Sequence, residues 1–448
     1  MLILRIPYAL LEIPLLQPEL IWRLLGERMG SGYSMYVDIT DDNGPLSSGI
    51  YWLIHLMAGK SFFAYQLIAG ATILFQVAYI NSLFIQCKSF EDNTYIPALV
   101  MVVLFHISFD FLTLSPALMG TTFVLLALGQ LFYQTVRHHY STESILLVGL
   151  FGGIAVCFHF PLVFFLPFVL VAGVMINGFS FHQLVLFLVG YILPFLICAL
   201  YYFWIDGLGD FLFGFVFATW IIDVYHHASY WDISILFLLP FIFTLIGFVL
   251  GSLLKHLTVS RQKQNQLIIL FLAFSLLSII LANRKAPYQL VVVLPGLAYF
   301  ISQIFLYLNR KKLTAILFYI FFFGVPLVGY GWAYHKIISD QIYTYAVNSG
   351  NQYDFTKNSK VLVLGKDLGY YRDASLAGPF LNYHLSKPFL KEYKSYENLT
   401  AIYLAFARER PEYIIDEDHI FADLLEHFPE LRGYYSLERE GIYKLNQP

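Results

Sequence analysis

Charge is what this sequence has least of. Asp, Glu, Lys and Arg make up 13% of its 448 residues, about half the ~25% usual in soluble domains. The formal net charge of −3 suggests neither nucleic acid nor a polybasic lipid-binding surface. Cysteine is equally sparse. Cys87, Cys157 and Cys198 sit in or beside apolar stretches. No CxxC or Cys/His spacing is present, so neither a disulfide framework nor a zinc site can be built from them. No cleavable leader is evident, and no short-period repeat, which excludes solenoids. The span pattern shows no convincing duplication, which weakens the inverted-repeat design of many transporters. The stretch VLVLGKDLGYY (361–371) gives a glycine turn after a strand. It is neither GxGxxG nor a P-loop, and no nucleotide site follows from it.

What is abundant is apolar and aromatic residues, at 58% and 18%. Runs of roughly twenty apolar residues recur up to about residue 334 and predict a polytopic α-helical membrane protein. Hydropathy predicts about eleven transmembrane helices: 2–16, 61–86, 95–113, 117–134, 144–159, 161–177, 183–203, 233–254, 267–282, 288–308 and 313–334. The first is weak. It is short, carries Arg5 and Glu12, and is interrupted by Pro7 and Pro14. A helix whose upstream part is missing from this chain is one reading of it.

Alternate loops differ in charge. Lys88, Arg137, Lys255, Arg261, Lys263, Arg310, Lys311 and Lys312 fall on one side. Arg23, Arg28, Lys60, Arg284 and Lys285 fall on the other, with most of the loop acids. The positive-inside rule then predicts a cytoplasmic N-terminus. It places the first loop, the 204–232 loop and the C-terminal part outside. The expected organisation is a membrane domain over 1–334, with a first outer loop at 18–60, and an extracytoplasmic α/β domain over 335–448. In the latter, KVLVLG (360–365), PEYIID (411–416) and GYYSLEREGIYKL (433–445) read as two buried strands and a hairpin, with helical patterns between.

The first loop has the most chemistry per residue. Pro18-Glu19 opens a helix well. Leu20, Ile21, Leu24 and Leu25 share one face, against Glu19, Arg23 and Glu27, and Gly30 is a plausible stop. This is the pattern of a helix lying in the membrane interface; it serves as an active-site rim or as a simple connector. YVDITDDNGPL (36–46) follows. A carboxylate here suits proton abstraction from a hydroxyl, or a divalent cation. DDNGP also reads as an ordinary solvated turn. Asp38 differs from Asp41 and Asp42 because Tyr36, Val37 and Ile39 surround it.

Other polar groups have bland readings beside the functional ones. Asp223, His226 and His227 fit a metal site or an interfacial aromatic belt. His106, Asp110 and His159 lie within apolar spans, where ionisable groups are functional candidates by default. Hydration at a helix end, or service to carbonyls freed near Pro161, explains them equally.

The loop, continued through IYWLIHLMAGKSFFAYQL (50–67), resembles the first outer loop and second helix of the GT-C superfamily of polytopic glycosyltransferases. The likeness is to the protein mannosyltransferase and aminoarabinose transferase-like branch, with this chain a divergent Bacteroidetes-type member. NRKAPYQLVVVLPGLAYF (283–300) is similar to that branch's later outer-loop segment. Arg284 and Pro295 match, while Tyr288-Gln289 stands where His-Tyr is usual. The resemblance implies transfer of a sugar from a polyprenyl-phosphate donor to an extracytoplasmic hydroxyl of a glycan, lipid or protein, at the bacterial inner membrane. It implies Asp38 as the base, and Arg284, Lys285 and Tyr288 near the donor phosphate. Asp41, Asp42 and Glu27 become candidates for the acceptor or a divalent metal ion. The missing histidine also suits a non-catalytic scaffold or assembly factor with the same frame; a transporter of an amphiphile is the third reading.

Overall fold

The computed structural model describes residues 1–136, 141–252, 258–308, 310–392 and 395–446. Arg137 and Lys255 lie outside the described residues. Contacts divide the chain into two compact units: 1–13, 62–201 and 224–342 form one, and 14–61, 202–223 and 343–448 the other.

The first unit is helical. Among the described residues, eight helices are long and apolar enough to cross a membrane: Phe62–Gln86, Pro116–Val136, Phe160–Asn177, Phe181–Trp204, Tyr230–Ser252, Val259–Leu281, Pro287–Tyr307 and Lys311–Ile338. Only the last turn of Phe181–Trp204 belongs to the other unit. The chain is a polytopic membrane protein. The remaining three apolar stretches are shorter as helices. The first ends at Leu10, before Pro14. The second runs Ile96–Leu104 and passes into a 3-10 turn at Phe109–Leu112. The third, Thr142–Phe158, stops before Pro161, which disfavours helical backbone in the residue before it. Hydropathy measures apolar length and is blind to these interruptions.

Packing here relies on close approach as much as on bulk. A Cβ on Gly153 would stand 2.1 Å from the Tyr191 carbonyl oxygen, so the helices Thr142–Phe158 and Phe181–Trp204 touch through glycine. In lipid, where apolar burial gives little drive between helices, such contact supplies the van der Waals attraction. The helix Pro287–Tyr307 is the most enclosed of the eight, with 83% of its apolar window buried.

The second unit builds a small mixed sheet. Across it, the strands run Ser375–Leu376, Lys360–Leu364, Tyr413–Asp416, Ile442–Leu445 and Tyr435–Arg439. The first three are parallel and the last two an antiparallel hairpin turned at Gly441, φ +70°. These are the strands expected from KVLVLG, PEYIID and the final hairpin. Leu362, Leu364, Ile414, Ile402, Phe406 and Phe421 centre the core. The early chain joins this unit by backbone bonds. Gln17 N–H donates to Tyr345 O at 3.0 Å, and Val347 N–H to Leu15 O at 2.7 Å. The helix expected after Pro18-Glu19 runs Gln17–Gly30, with Pro18 at its start and Glu19 in its first turn.

Candidate active site

Asp38 sits in a tight bend. Its N–H donates to Ser34 O at 2.9 Å, and Tyr36 N–H donates to Ile39 O at 2.9 Å. Tyr36 adopts φ +67°, a left-handed conformation that costs a non-glycine residue about 1 kcal/mol or more. Its ring offsets this. It packs edge-on against Tyr202 and Phe211, centroids 5.2 and 5.4 Å away, and its hydroxyl donates to Asn43 O. Gly214 makes room: a Cβ there would lie 2.7 Å from the Tyr36 ring. Two more backbone bonds clamp the loop's far side. Thr40 N–H donates to Pro379 O at 2.7 Å, and Asn382 N–H to Thr40 O at 3.0 Å.

The carboxylate so placed has two partners. One oxygen accepts the Ser34 N–H at 2.8 Å. The other accepts from Arg408 at the end of the helix Tyr396–Arg408. The Asp38 side chain is 13% exposed and that of Arg408 63%, so the carboxylate is held and its cation is largely in solvent.

Asp38 lines a cavity of about 640 Å3 within the second unit. The wall mixes charge and grease. Arg28, Asp41, Asp210, Arg408 and Glu409 stand among Phe213, Phe380, Phe389 and Leu404. Pockets that bind amphiphilic ligands have this character, apolar walls with a few converging polar groups. At one end Arg28 and Glu409 form a buried ion pair, their side chains 7% and 8% exposed. The Arg28 guanidinium also lies 3.5 Å over the Tyr33 ring. Burial alone would raise the Glu409 carboxyl. Arg28, the Gly378 N–H at 3.1 Å and Lys360 at 3.0 Å outweigh that and hold it down at about 2.

Asp41 and Asp42 meet at one amide. Asn382 Nδ2 donates to Asp41 at 3.2 Å and to Asp42 at 2.9 Å, while Asn43 Nδ2 donates to the other Asp41 oxygen. Amide donors thus meet both Asp41 oxygens. Among the described residues no group of three or more His, Cys, Asp or Glu stands together to hold a metal ion. Glu27 accepts from Ser375 Oγ at 2.7 Å and pairs with Lys60 at 2.9 Å. Asp38 and Asp41 line the cavity; Glu27 and Asp42 do not.

Arg284, Lys285 and Tyr288 belong to the first unit. Residues Arg284–Lys285 pair in parallel with Tyr225–His226. Arg284 Nε donates to Tyr225 Oη at 2.6 Å. Lys285 Nζ donates to Ile279 O and Ile280 O, both at 2.9 Å, which satisfies carbonyls at the end of the helix Val259–Leu281. Burial lowers the Lys285 ammonium pKa. The Tyr288 N–H donates to Asp110 at 2.8 Å, and His159 Nε2 meets Gln289 Oε1 at 2.7 Å. His159, the residue that ends the helix Thr142–Phe158, thus meets the residue after Tyr288.

Sequence reasoning missed Arg28, Arg408 and Glu409 as cavity groups. The run FARERP (406–411) carries alternating charge, as many solvated helix ends do, and nothing in it points to residue 38.

No protein-family model matches the sequence, and no curated protein matches it. Solved structures that share its fold include those of two proteins. The first is ArnT from Cupriavidus metallidurans bound to undecaprenyl phosphate, at 10% identity and TM-score 0.53, over 84% of this chain and 83% of that one. The second is the archaeal oligosaccharyltransferase AglB from Archaeoglobus fulgidus, in complex with an inhibitory peptide and a dolichol-phosphate. It gives 10% identity and TM-score 0.50, over 97% of this chain and 71% of that one. Both are GT-C membrane glycosyltransferases. The fold expected from the first loop and from 283–300 is the fold the chain has.

Proposed function

We propose that the chain is a membrane glycosyltransferase moving a sugar from a polyprenyl-phosphate donor to an acceptor hydroxyl. It would act at the inner membrane, with the N-terminus cytoplasmic and 335–448 outside. The observation that carries the proposal is Asp38. A backbone-held carboxylate lines a large amphiphilic cavity, in the fold of two enzymes whose structures hold polyprenyl phosphates.

In this reading Asp38 accepts the proton of the acceptor hydroxyl. The acceptor oxygen attacks the anomeric carbon, the bond to the donor phosphate breaks, and the phosphate departs with the electron pair. Configuration inverts. Arg284 is the cation assigned to the phosphate, since a guanidinium fork matches phosphate oxygens. Lys285, already donating to two carbonyls, supports the helix end instead. Asp41 is part of the acceptor wall, and Asn382 joins it to Asp42 behind that wall.

The test is transfer of labelled sugar from a polyprenyl-phosphate donor by the full chain in membranes. Asp38→Asn should fold normally and lose roughly 100-fold or more in rate; full activity in that variant would sink the assignment. One observation favours a second reading, a non-catalytic scaffold: Asp38 is engaged by Arg408. That reading requires no transfer from any donor, and an unchanged cellular role for Asp38→Asn.

A further inference from the structure

Two helices of the first unit present matched stripes to each other. On Thr142–Phe158 the stripe is Gly149, Gly153 and Cys157; on Phe181–Trp204 it is Gly190, Pro194 and Cys198. Each repeats every fourth residue, which keeps it on one helix face. Close approach fixes the register. A Cβ on Gly149 would lie 2.2 Å from Phe187 O and 3.1 Å from the Gly190 carbonyl carbon. One on Gly153 would lie 2.1 Å from Tyr191 O and 3.0 Å from the Pro194 ring. A step of four on the first helix thus matches a step of four on the second, and the two run parallel. The next step brings Cys157 to Cys198. Their side chains are in hydrogen-bond contact, and both are thiols in the structure. We propose that this pair is a redox modification site, closed to an inter-helix disulfide by a lipid-soluble quinone.

Backbone contact is what makes the bond feasible. A disulfide needs Cα atoms about 4.4–6.8 Å apart, and helices that touch backbone to backbone one turn away bring facing residues that close. The spacing of the cysteines along the sequence supports no disulfide framework; helix contact supplies what spacing lacks. Access selects the oxidant. Cys157 is buried and Cys198 half-buried. Around Cys198 the helix exposes Leu196, Ile197 and Leu200, and only 22% of its apolar window is buried. In a membrane span that face meets hydrocarbon, where an apolar oxidant dissolves and a charged aqueous one does not. A quinone fits and balances the step. Two S–H bonds break and one S–S bond forms, while two electrons and two protons reduce the quinone to its quinol. The bond would tie together two helices whose contact otherwise rests on van der Waals packing.

The full chain in nanodiscs is treated with decylubiquinone and denatured, and its remaining thiols are counted by mass after maleimide labelling. Untreated chain should take three labels, one per cysteine, and treated chain one, on Cys87. Digestion should give a linked peptide joining Cys157 to Cys198 within a single chain. Treatment should also raise the melting temperature by a few degrees, reversed by dithiothreitol. Cys87→Ser should form the same link. Cys157→Ala and Cys198→Ala should each lose both the link and the melting shift. Oxidised glutathione, charged and aqueous, should form the link at least roughly tenfold more slowly than the quinone. Full labelling after quinone, a link to Cys87, or a link only between chains overturns the proposal. So does glutathione matching the quinone's rate. None of these readouts uses sugar transfer, so they stand or fall apart from the transferase reading.

Discussion

Arg408 donates from Nη1 to the Asp38 carboxylate across 370 residues of sequence. The cation is mostly in solvent and the carboxylate mostly is not. A pair with one exposed partner contributes about 1 kcal/mol or less to stability. Under the proposed role of Asp38 as base, its consequence is kinetic: Arg408 competes with the acceptor hydroxyl for one carboxylate oxygen. Arg408→Ala should therefore melt close to the wild type, while turnover at saturating acceptor rises by roughly threefold as a gating step disappears. Parallel thermal melts and labelled-sugar transfer check this. A fall in turnover would show that Arg408 contacts the acceptor.

The buried pair Arg28–Glu409 predicts the opposite balance. Removing one member leaves a charge without its counter-ion at a site where both side chains are almost fully buried. Glu409→Ala should cost about 3–5 kcal/mol, seen as a large drop in melting temperature. The pair also sets an acid limit. Glu409 titrates lower in the folded protein than its ordinary 4.5, so its stabilisation is complete above that value. It is lost as the pH falls through about 2, and Glu409→Gln should flatten that part of the stability–pH curve.

Much of the fold was legible in the sequence because it depends on local pattern. Twenty-residue apolar runs, strand runs such as KVLVLG, and Pro18-Glu19 as a helix start each act over one element. The loop itself stood out because acids between apolar spans are rare. Long-range pairing was not legible. Asp38 with Arg408, Asp41 with Asn382, and Glu27 with Ser375 each join residues more than 300 apart. No periodicity encodes such contacts. The grouping of 14–61 with 343–448 escapes a hydropathy reading for the same reason.

In the first unit, Arg284 and Lys285 should separate cleanly. Lys285 donates to the carbonyls of residues 279 and 280, so Lys285→Met should lower the melting temperature and change donor KM little. Arg284→Lys keeps charge but loses the planar fork. It should raise donor KM roughly tenfold with a smaller effect on stability. Donor-dependent kinetics beside thermal melts decide between these roles; equal effects in both variants would return the two residues to a shared structural function.

Asn382 does two jobs that substitution can divide. Its Nδ2 donates to Asp41 and Asp42. Its Oδ1 accepts Leu385 N–H at 3.3 Å, capping the helix Tyr383–Leu390. Asn382→Ala removes both and should cost at least the ~1 kcal/mol of a lost cap. Asn382→Asp keeps a cap oxygen of equal quality but replaces the shared donor with a third carboxylate. Three acids then stand together, with Asp41 fully buried, and like charges raise one another's pKa. The introduced carboxyl would titrate higher in the folded chain than in the unfolded one, so the folded state gains stability as the pH falls toward about 5. Melting temperatures from about pH 8 to about pH 5 should rise for Asn382→Asp and stay nearly flat for Asn382→Ala. A flat profile in both would mean that the amide's donor role is dispensable and that capping alone explains its place.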